Sequence, residues 1–232
     1  MNFLSHAIPY LARPDFGSPL LAVSTGIPDW LTVVDRSIRA RGKMAEQHIN
    51  SSDRQLSEVA QGILLHISDD RWFHGTRAFV ETNMELAIQL RDQLPGDAGF
   101  RPSFVGHILI EMLLDGLWIR DDRRHAENYY SAIRQASPST IQRCVNVITG
   151  KPTTKLVTVI DRFIEIEFLY DYLDDEKLLM RLNQVMNRVG LPALPDAIAS
   201  WLPEAQDLVE SRRRPLLTPP GDADHFPPFP VI

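Results

Sequence analysis

A long apolar stretch, FVGHILIEMLLDGLWI, occupies residues 104–119. Pro102 and Ser103 favour a helix start just before it, so the stretch predicts a helix that is buried on all sides. Its only ionisable residues are His107, Glu111 and Asp115, which are spaced four residues apart. That spacing places the three side chains on one face of the helix.

Carboxylates on such a helix need compensation, because an ionised carboxylate inside a protein is strongly unfavourable without a cation or a metal ion. His107 and Glu111 are therefore candidate metal ligands. For Asp115 three interpretations stay open: a ligand or proton acceptor, a residue that orients a ligand, or the point where this face returns to solvent.

A second segment, HISDDRWFH at residues 66–74, repeats the pattern with His66, Asp70 and His74. Two such faces opposed would form a cage of nitrogen and oxygen ligands. Mixed imidazole and carboxylate sets suit zinc, iron or manganese. The sequence therefore predicts a transition-metal site built from two helices.

Interpretations without a metal stay open beside this one. His66 and His107 could be hydrogen-bonded core histidines, and Asp70 could pair with Arg71 or Arg77, which would make a buried polar network. A ferritin-like di-iron site is disfavoured, because no Glu-x-x-His pair is present. We favour the metal because the ionisable residues recur in two helical patterns.

Helical spacing also dominates the flanking segments. Residues 52–55 have the form of a capping box, so the helix that carries His66 should begin there and run into the seventies. A further helix over 76–94, stopped by Pro95-Gly96, should bury one face. The residues predicted for that face are Val80, Met84, Ala87 and Ile88.

The second half of the chain continues the helical pattern. Apolar spacing over 160–170 predicts one long helix, and spacing over 178–189 predicts another that ends at Gly190. No alternating strand pattern is found, so we predict an all-α, single-domain protein over residues 1–214. Residues 215–232 are rich in proline and predict an extended or disordered tail.

Composition restricts the partners and the compartment. The 232 residues carry a net charge of −6, which gives no reason to expect a nucleic-acid partner. The single cysteine, Cys144, can form neither an internal disulfide nor a cysteine-rich zinc site. No secretory signal or membrane span is predicted, so we expect a soluble, cytoplasmic protein. Helices from Thr153 onward could form a homodimer interface.

Two N-terminal motifs suggest a family. Residues 1–6 read MNFLSH and residues 24–30 read STGIPDW. They are similar to the MNFLAH and GNLLADF motifs of the acyl carrier protein phosphodiesterase family, a group of bacterial helical hydrolases related to HD-domain metallophosphohydrolases. The resemblance covers roughly the first half of the chain. It implies an HD-like helical bundle, and it adds His6 and Asp29 as candidate metal ligands.

The helix motifs also resemble that family, with departures. Residues 62–74 are similar to its Gly-x-x-x-His-x-x-x-Asp-x-x-x-Asp helix, with His74 at the last acidic position. His107 and Glu111, ahead of Trp118, are similar to an Asp-x-x-x-Asp pair, and Met112 replaces a histidine. The additional nitrogen donors would favour zinc or iron over manganese or magnesium.

The resemblance implies a metal-dependent phosphoric-ester hydrolase, with acyl carrier protein as the first candidate substrate. One or two ions would lower the pKa of a bound water and polarise the phosphoryl oxygen. Asp69 or Asp115 would accept the proton, and Arg71 or Arg77 would offset the phosphate charge. The alternative is a non-catalytic metal- or ligand-binding protein on the same scaffold. The predicted metal ligands are His6, Asp29, His66, Asp70, His74, His107 and Glu111.

Overall fold

The computed structural model describes residues 1–13, 18–96, 99–221 and 225–227. Every regular element among these residues is a helix, so the predicted all-α class is confirmed. The α-helices are α1 (Phe3–Leu11), α2 (Pro19–Ser24), α3 (Ile27–Val34), α4 (Gly42–Ala45), α5 (Arg54–Gly75), α6 (Arg77–Gln93), α7 (Pro102–Asp121), α8 (Arg124–Ala136), α9 (Pro138–Thr149), α10 (Leu156–Ile166), α11 (Asp175–Arg188), α12 (Leu202–Ser211) and α13 (Arg213–Leu216). Short 3₁₀ helices lie at Glu46–His48, Phe168–Leu173 and Asp196–Ser200.

The helices form two compact units. Unit 1 contains Met1–Arg71, Arg123–Glu167 and His225–Pro227, apart from residues 14–17, which lie outside the described part. Unit 2 contains the described residues of 72–122 and 168–221. The predicted boundary between residues 214 and 215 stays a prediction.

Helix α5 carries the candidate ligands His66 and His74. Asp53 caps the start of this helix. Oδ1 of Asp53 accepts hydrogen bonds from the backbone N–H groups of Gln55 and Leu56, at 3.0 and 3.2 Å. The predicted capping box on Ser52 is therefore wrong by one residue. The predicted extent is confirmed, because α5 continues for 22 residues to Gly75.

Within unit 1, α5 packs closely against α2 at Gly62. A Cβ atom on Gly62 would lie 2.5 Å from Cβ of Ser24 and 2.6 Å from the carbonyl oxygen of Leu21. Only a residue without a side chain permits this approach. The contact fixes the part of α5 that carries His66.

Helix α7 is the core of unit 2, where α6, α11, α12 and the 3₁₀ helix Phe168–Leu173 pack against it. It has 20 residues, four more than the apolar stretch predicted. Among the described helices, α7 alone is long and apolar enough to cross a membrane, and 67% of its most apolar 18-residue window is buried inside the protein. A buried core helix meets the same criterion.

Arg213 of α13 is buried against the last turn of α7. Its guanidinium forms an ion pair with Asp121 and lies 4.1 Å from the ring centroid of Trp118. Arg213 is only 7% exposed, so the ion pair and the cation–π contact compensate its burial.

Of the four residues predicted for one face of α6, only Ala87 is buried. Val80, Met84 and Ile88 are 47%, 60% and 55% exposed. The helix is instead rotated so that its contact with α7 and the rest of unit 2 buries a different set of residues. Its buried residues are Phe79, Thr82, Leu86, Ala87 and Leu90.

The helix predicted over 160–170 is confirmed as α10, but its predicted end is wrong. Helix α10 ends at Ile166, and Glu167 has a left-handed backbone with φ of 49°. The Glu167 carboxylate pairs with Arg134 at 2.7 Å. The next predicted helix is confirmed as α11, and the chain after it turns at Gly190 with φ of 75°.

The first residues of the predicted tail are helical rather than extended. Pro215 belongs to α13, and Leu216 and Leu217 are buried, so an extended chain beginning at Pro215 is wrong. Phe226 is also buried. Residues 222–224 and 228–232 of this segment lie outside the described residues.

Cys144 lies buried on α9 in unit 1. Burial raises the pKa of its thiol. The side chain therefore packs as a small apolar group.

We expect Gly62→Ala to destabilise the protein by about 1–3 kcal/mol, because the added methyl group has no space beside α2. Gly75→Ala, at the end of the same helix, is the matched control, since a Cβ there has no neighbour within 4 Å. Denaturant unfolding of both variants measures the difference. Equal free energies of unfolding would contradict the close contact between α5 and α2.

Candidate metal centre

Three residues from different helices of unit 1 bring ligand atoms together. His6 lies on α1, Asp29 in the first turn of α3 and His66 on α5. One ligand atom of each lies within 4.8 Å of the other two. We call these three residues the N-terminal cluster.

Asp70 lies one helical turn after His66 and contacts both imidazoles. Its Oδ1 is 3.2 Å from Nε2 of His6, and its Oδ2 is 3.3 Å from Nε2 of His66. A tetrahedral ion with bonds of about 2.0–2.2 Å separates its ligand atoms by about 3.3–3.6 Å. The spacing around Asp70 is close to that range. Oδ1 of Asp70 also pairs with the Met1 ammonium at 2.9 Å.

The imidazoles of the N-terminal cluster carry nitrogen atoms that are buried without hydrogen bonds. Both ring nitrogens of His6 and Nδ1 of His66 have no partner of hydrogen-bond geometry among the described residues. The two rings lie 4.2 Å apart with 31° between their planes. Because buried polar atoms are normally satisfied, these nitrogens fit a site that receives a metal ion.

Asp69 lies on the other side of His6. Its Oδ2 is 3.6 Å from Nδ1 of His6 and accepts a hydrogen bond of 3.1 Å from the Tyr10 hydroxyl. Its Oδ1 is 3.5 Å from Nε2 of His225. Although burial favours the neutral acid, His225 and His6 lower the pKa of Asp69 to about 2. Asp69 is thus an ionised carboxylate beside Nδ1 of His6. In many metal sites a carboxylate likewise contacts the histidine ring nitrogen that does not bind the ion.

The charge around His6 shifts its titration. Burial alone would lower the pKa of His6, but the carboxylates of Asp69 and Asp70 outweigh burial and raise it above the ordinary value. For Asp70, His6 and His66 likewise outweigh burial, and the pKa of this carboxyl lies well below its usual range. Protonated His6 and these carboxylates would therefore stabilise one another.

A second set of candidate ligands lies in unit 2. Nε2 of His74 is 2.9 Å and Nε2 of His107 is 3.2 Å from the same atom, Oε1 of Glu111. The two imidazoles stack with centroids 4.5 Å apart and 30° between their planes. We call His74, His107 and Glu111 the α7 cluster.

Aromatic rings hold the α7 cluster in place. Phe79 contacts the edges of the imidazoles, with centroid distances of 4.8 Å to His74 and 5.0 Å to His107. Phe73 lies 5.2 Å from His74. Although burial opposes ionisation of Glu111, hydrogen bonds from His107 and His74 help to hold its pKa well below the usual range.

The predicted ligands thus fall into two groups. The structure places His6, Asp29 and His66 in one and His74, His107 and Glu111 in the other, with Asp70 beside the first. Asp115 is fully buried on α7 and belongs to neither group.

The predicted phosphate-binding arginines differ in their surroundings. Arg71 is exposed and directly follows Asp70 in the chain. The Arg77 guanidinium is already paired with Glu81, with Nε 2.6 Å from Oε1. Arg71 is therefore the better candidate of the two.

Sequence reasoning missed Tyr10 and His225. Tyr10 had a usable signal, because it follows His6 by four residues and shares its helix face. His225 had none, since it lies in a proline-rich segment without periodicity.

When a chelator keeps the protein free of metal, we expect the pKa of His6 to lie above the ordinary histidine value of about 6.5. A raised folded-state pKa contributes stability that is complete below the unfolded pKa and is lost as pH rises through the folded pKa. Histidine NMR titration, assigned with His6→Gln, measures this pKa. Asp69→Asn should lower it, and an unchanged pKa in that variant would contradict the contact.

Comparison with protein-family models, with curated proteins and with solved structures finds no match for this chain. The resemblance to acyl carrier protein phosphodiesterases therefore stays a prediction, and the site is interpreted from its geometry.

Proposed function

We propose that this protein is a metal-dependent hydrolase of phosphoric esters, with its ion held by the N-terminal cluster and Asp70. The observation that carries the proposal is the set of buried imidazole nitrogens without hydrogen bonds, which face carboxylates at ligand spacing. Nitrogen and oxygen donors without thiolate suit zinc, iron or manganese.

Asp69 acts through His6 in this proposal. Its carboxylate lies beside Nδ1 of His6, whereas Nε2 faces Asp70 and would hold the ion. A carboxylate with a pKa of about 2 is a weak base, so Asp69 orients His6 rather than accepting the proton. Tyr10 and His225 in turn hold the Asp69 carboxylate.

The bound ion would supply an acidified water as nucleophile and positive charge for the phosphoryl oxygens. Arg71, which is exposed and follows Asp70 in the chain, is our candidate for binding the remaining phosphate charge. The first substrate to test is acyl carrier protein carrying its phosphopantetheine group, because the N-terminal motifs resemble that family.

A non-catalytic metal-binding protein is the second candidate. The observation that favours it is the weak basicity of Asp69, a predicted proton acceptor whose pKa is about 2. Such a protein would bind the same ion through the same residues without turnover.

We expect reloading the metal-free chain with zinc, iron(II) or manganese to restore hydrolysis of a phosphodiester or phosphomonoester. Changes to residues that only contact the ligands cost metal sites about 10–100-fold in affinity or activity. The double variant His6→Gln with His66→Gln removes two ligands, so its rate of hydrolysis should fall by more than about 100-fold. Product release from chromogenic phosphate esters and from holo-acyl carrier protein is measured alongside metal content.

His48→Gln is the matched control, because His48 lies in unit 1 outside the N-terminal cluster and should retain metal and turnover. Metal bound without turnover on any substrate would favour the non-catalytic protein. Equal metal content at this site in the double variant and the wild type would contradict the N-terminal cluster itself.

A further inference from the structure

We propose that the α7 cluster is a metal site in its own right, which takes a divalent transition-metal ion such as Zn²⁺. The inference goes beyond the proposed function, because it concerns residues of unit 2 that the proposed reaction does not use. It assigns His74, His107 and Glu111 as the ligands.

The spacing of the three donor atoms fits an ion. Both Nε2 atoms converge on one oxygen of Glu111, at 2.9 and 3.2 Å. The ligand atoms around a tetrahedral zinc ion are separated by about 3.3–3.6 Å. An outward movement of a few tenths of an ångström would therefore let an ion replace the contacts among the three atoms.

The cluster is held before any ion arrives. His107 and Glu111 are one turn apart on α7, and α7 and α6 approach closely at Gly106, where a Cβ atom would lie 2.6 Å from Oδ1 of Asn83. His74 is in the last turn of α5, and the Thr76 side chain caps α6 by accepting the N–H of Phe79 at 3.2 Å. The Phe79 ring then contacts both imidazoles.

Accessibility and charge also suit a cation. The side chains of His74 and His107 are 28% and 34% exposed, so an ion can reach them from solvent. Glu111 is 14% exposed, and Nε2 of both imidazoles lies within 3.2 Å of its Oε1. A carboxylate at this depth favours a cation beside it.

The donor set indicates the class of ion. Two imidazoles and one carboxylate suit zinc, iron(II), cobalt or nickel, whereas calcium and magnesium prefer sets made only of oxygen. Three protein ligands leave a coordination position open. The α7 cluster therefore has the composition of a site that exchanges ligands, rather than that of a closed structural zinc site.

The test counts Zn²⁺ ions per full-length chain after chelation, reloading with Zn²⁺ alone and dialysis. Four variants accompany the wild type: His6→Gln with His66→Gln, His74→Gln with His107→Gln, all four substitutions together, and His48→Gln as control. We expect two ions for the wild type and the control, one for each double variant and none for the fourfold variant.

The two proposals fail in distinguishable ways. A single ion in the wild type that persists in His74→Gln with His107→Gln overturns the α7 site and leaves the N-terminal cluster standing. A single ion that persists in His6→Gln with His66→Gln supports the α7 site and contradicts the N-terminal cluster.

Glu111→Gln separates loss of a ligand from loss of the fold. Glutamine keeps the size of the side chain and can still accept hydrogen bonds from both imidazoles. In the His6→Gln, His66→Gln background, this substitution should weaken Zn²⁺ binding by at least about 10-fold while helix content is kept. Unchanged affinity would mean that the three residues form only a hydrogen-bonded contact, which overturns the proposal.

Discussion

The burial of ionised carboxylates among packed helices is the constraint on which both candidate sites depend. Asp69 is 3% exposed, and Asp70 and Glu111 are largely shielded from water. Each carboxylate is placed next to imidazoles, because a buried charge without a partner would destabilise the fold. The same rule operates at Arg213, where Asp121 and the Trp118 ring compensate a buried cation. The imidazoles that neutralise these carboxylates are therefore also the groups that could bind a metal ion beside them.

Much of the fold could be predicted from the sequence, because helical spacing and stop signals are local. The apolar stretch at 104–119 correctly indicated α7, and Pro95-Gly96 correctly ended α6. The errors arose where tertiary packing decides. The rotation of α6 depends on which residues meet α7, and the break at Glu167 requires a left-handed residue that no spacing rule indicates. Local patterns thus determined which segments are helical, whereas contacts between helices determined how each is turned.

The candidate site was predictable in its residue types but not in its partition. Spacing of four residues identified His66 with Asp70 and His107 with Glu111, since such pairs share a helix face. That His74 joins Glu111, while His66 joins His6, follows from three-dimensional packing alone. Contacts that bring distant segments together, such as His225 on Asp69, leave no periodic trace. Sequence reasoning therefore found candidate ligands in pairs and could not group the pairs into clusters.

Cys144 has a practical consequence for studying motion in this molecule. It is the chain's one cysteine, it is buried, and its thiol pKa is raised, so little thiolate is available to alkylating reagents. A cysteine introduced at an exposed position would then be the single reactive thiol. A fluorophore or spin label could be attached there without first removing the native residue. The protein is thereby suited to site-specific labelling, which would follow local rearrangement as ions are added.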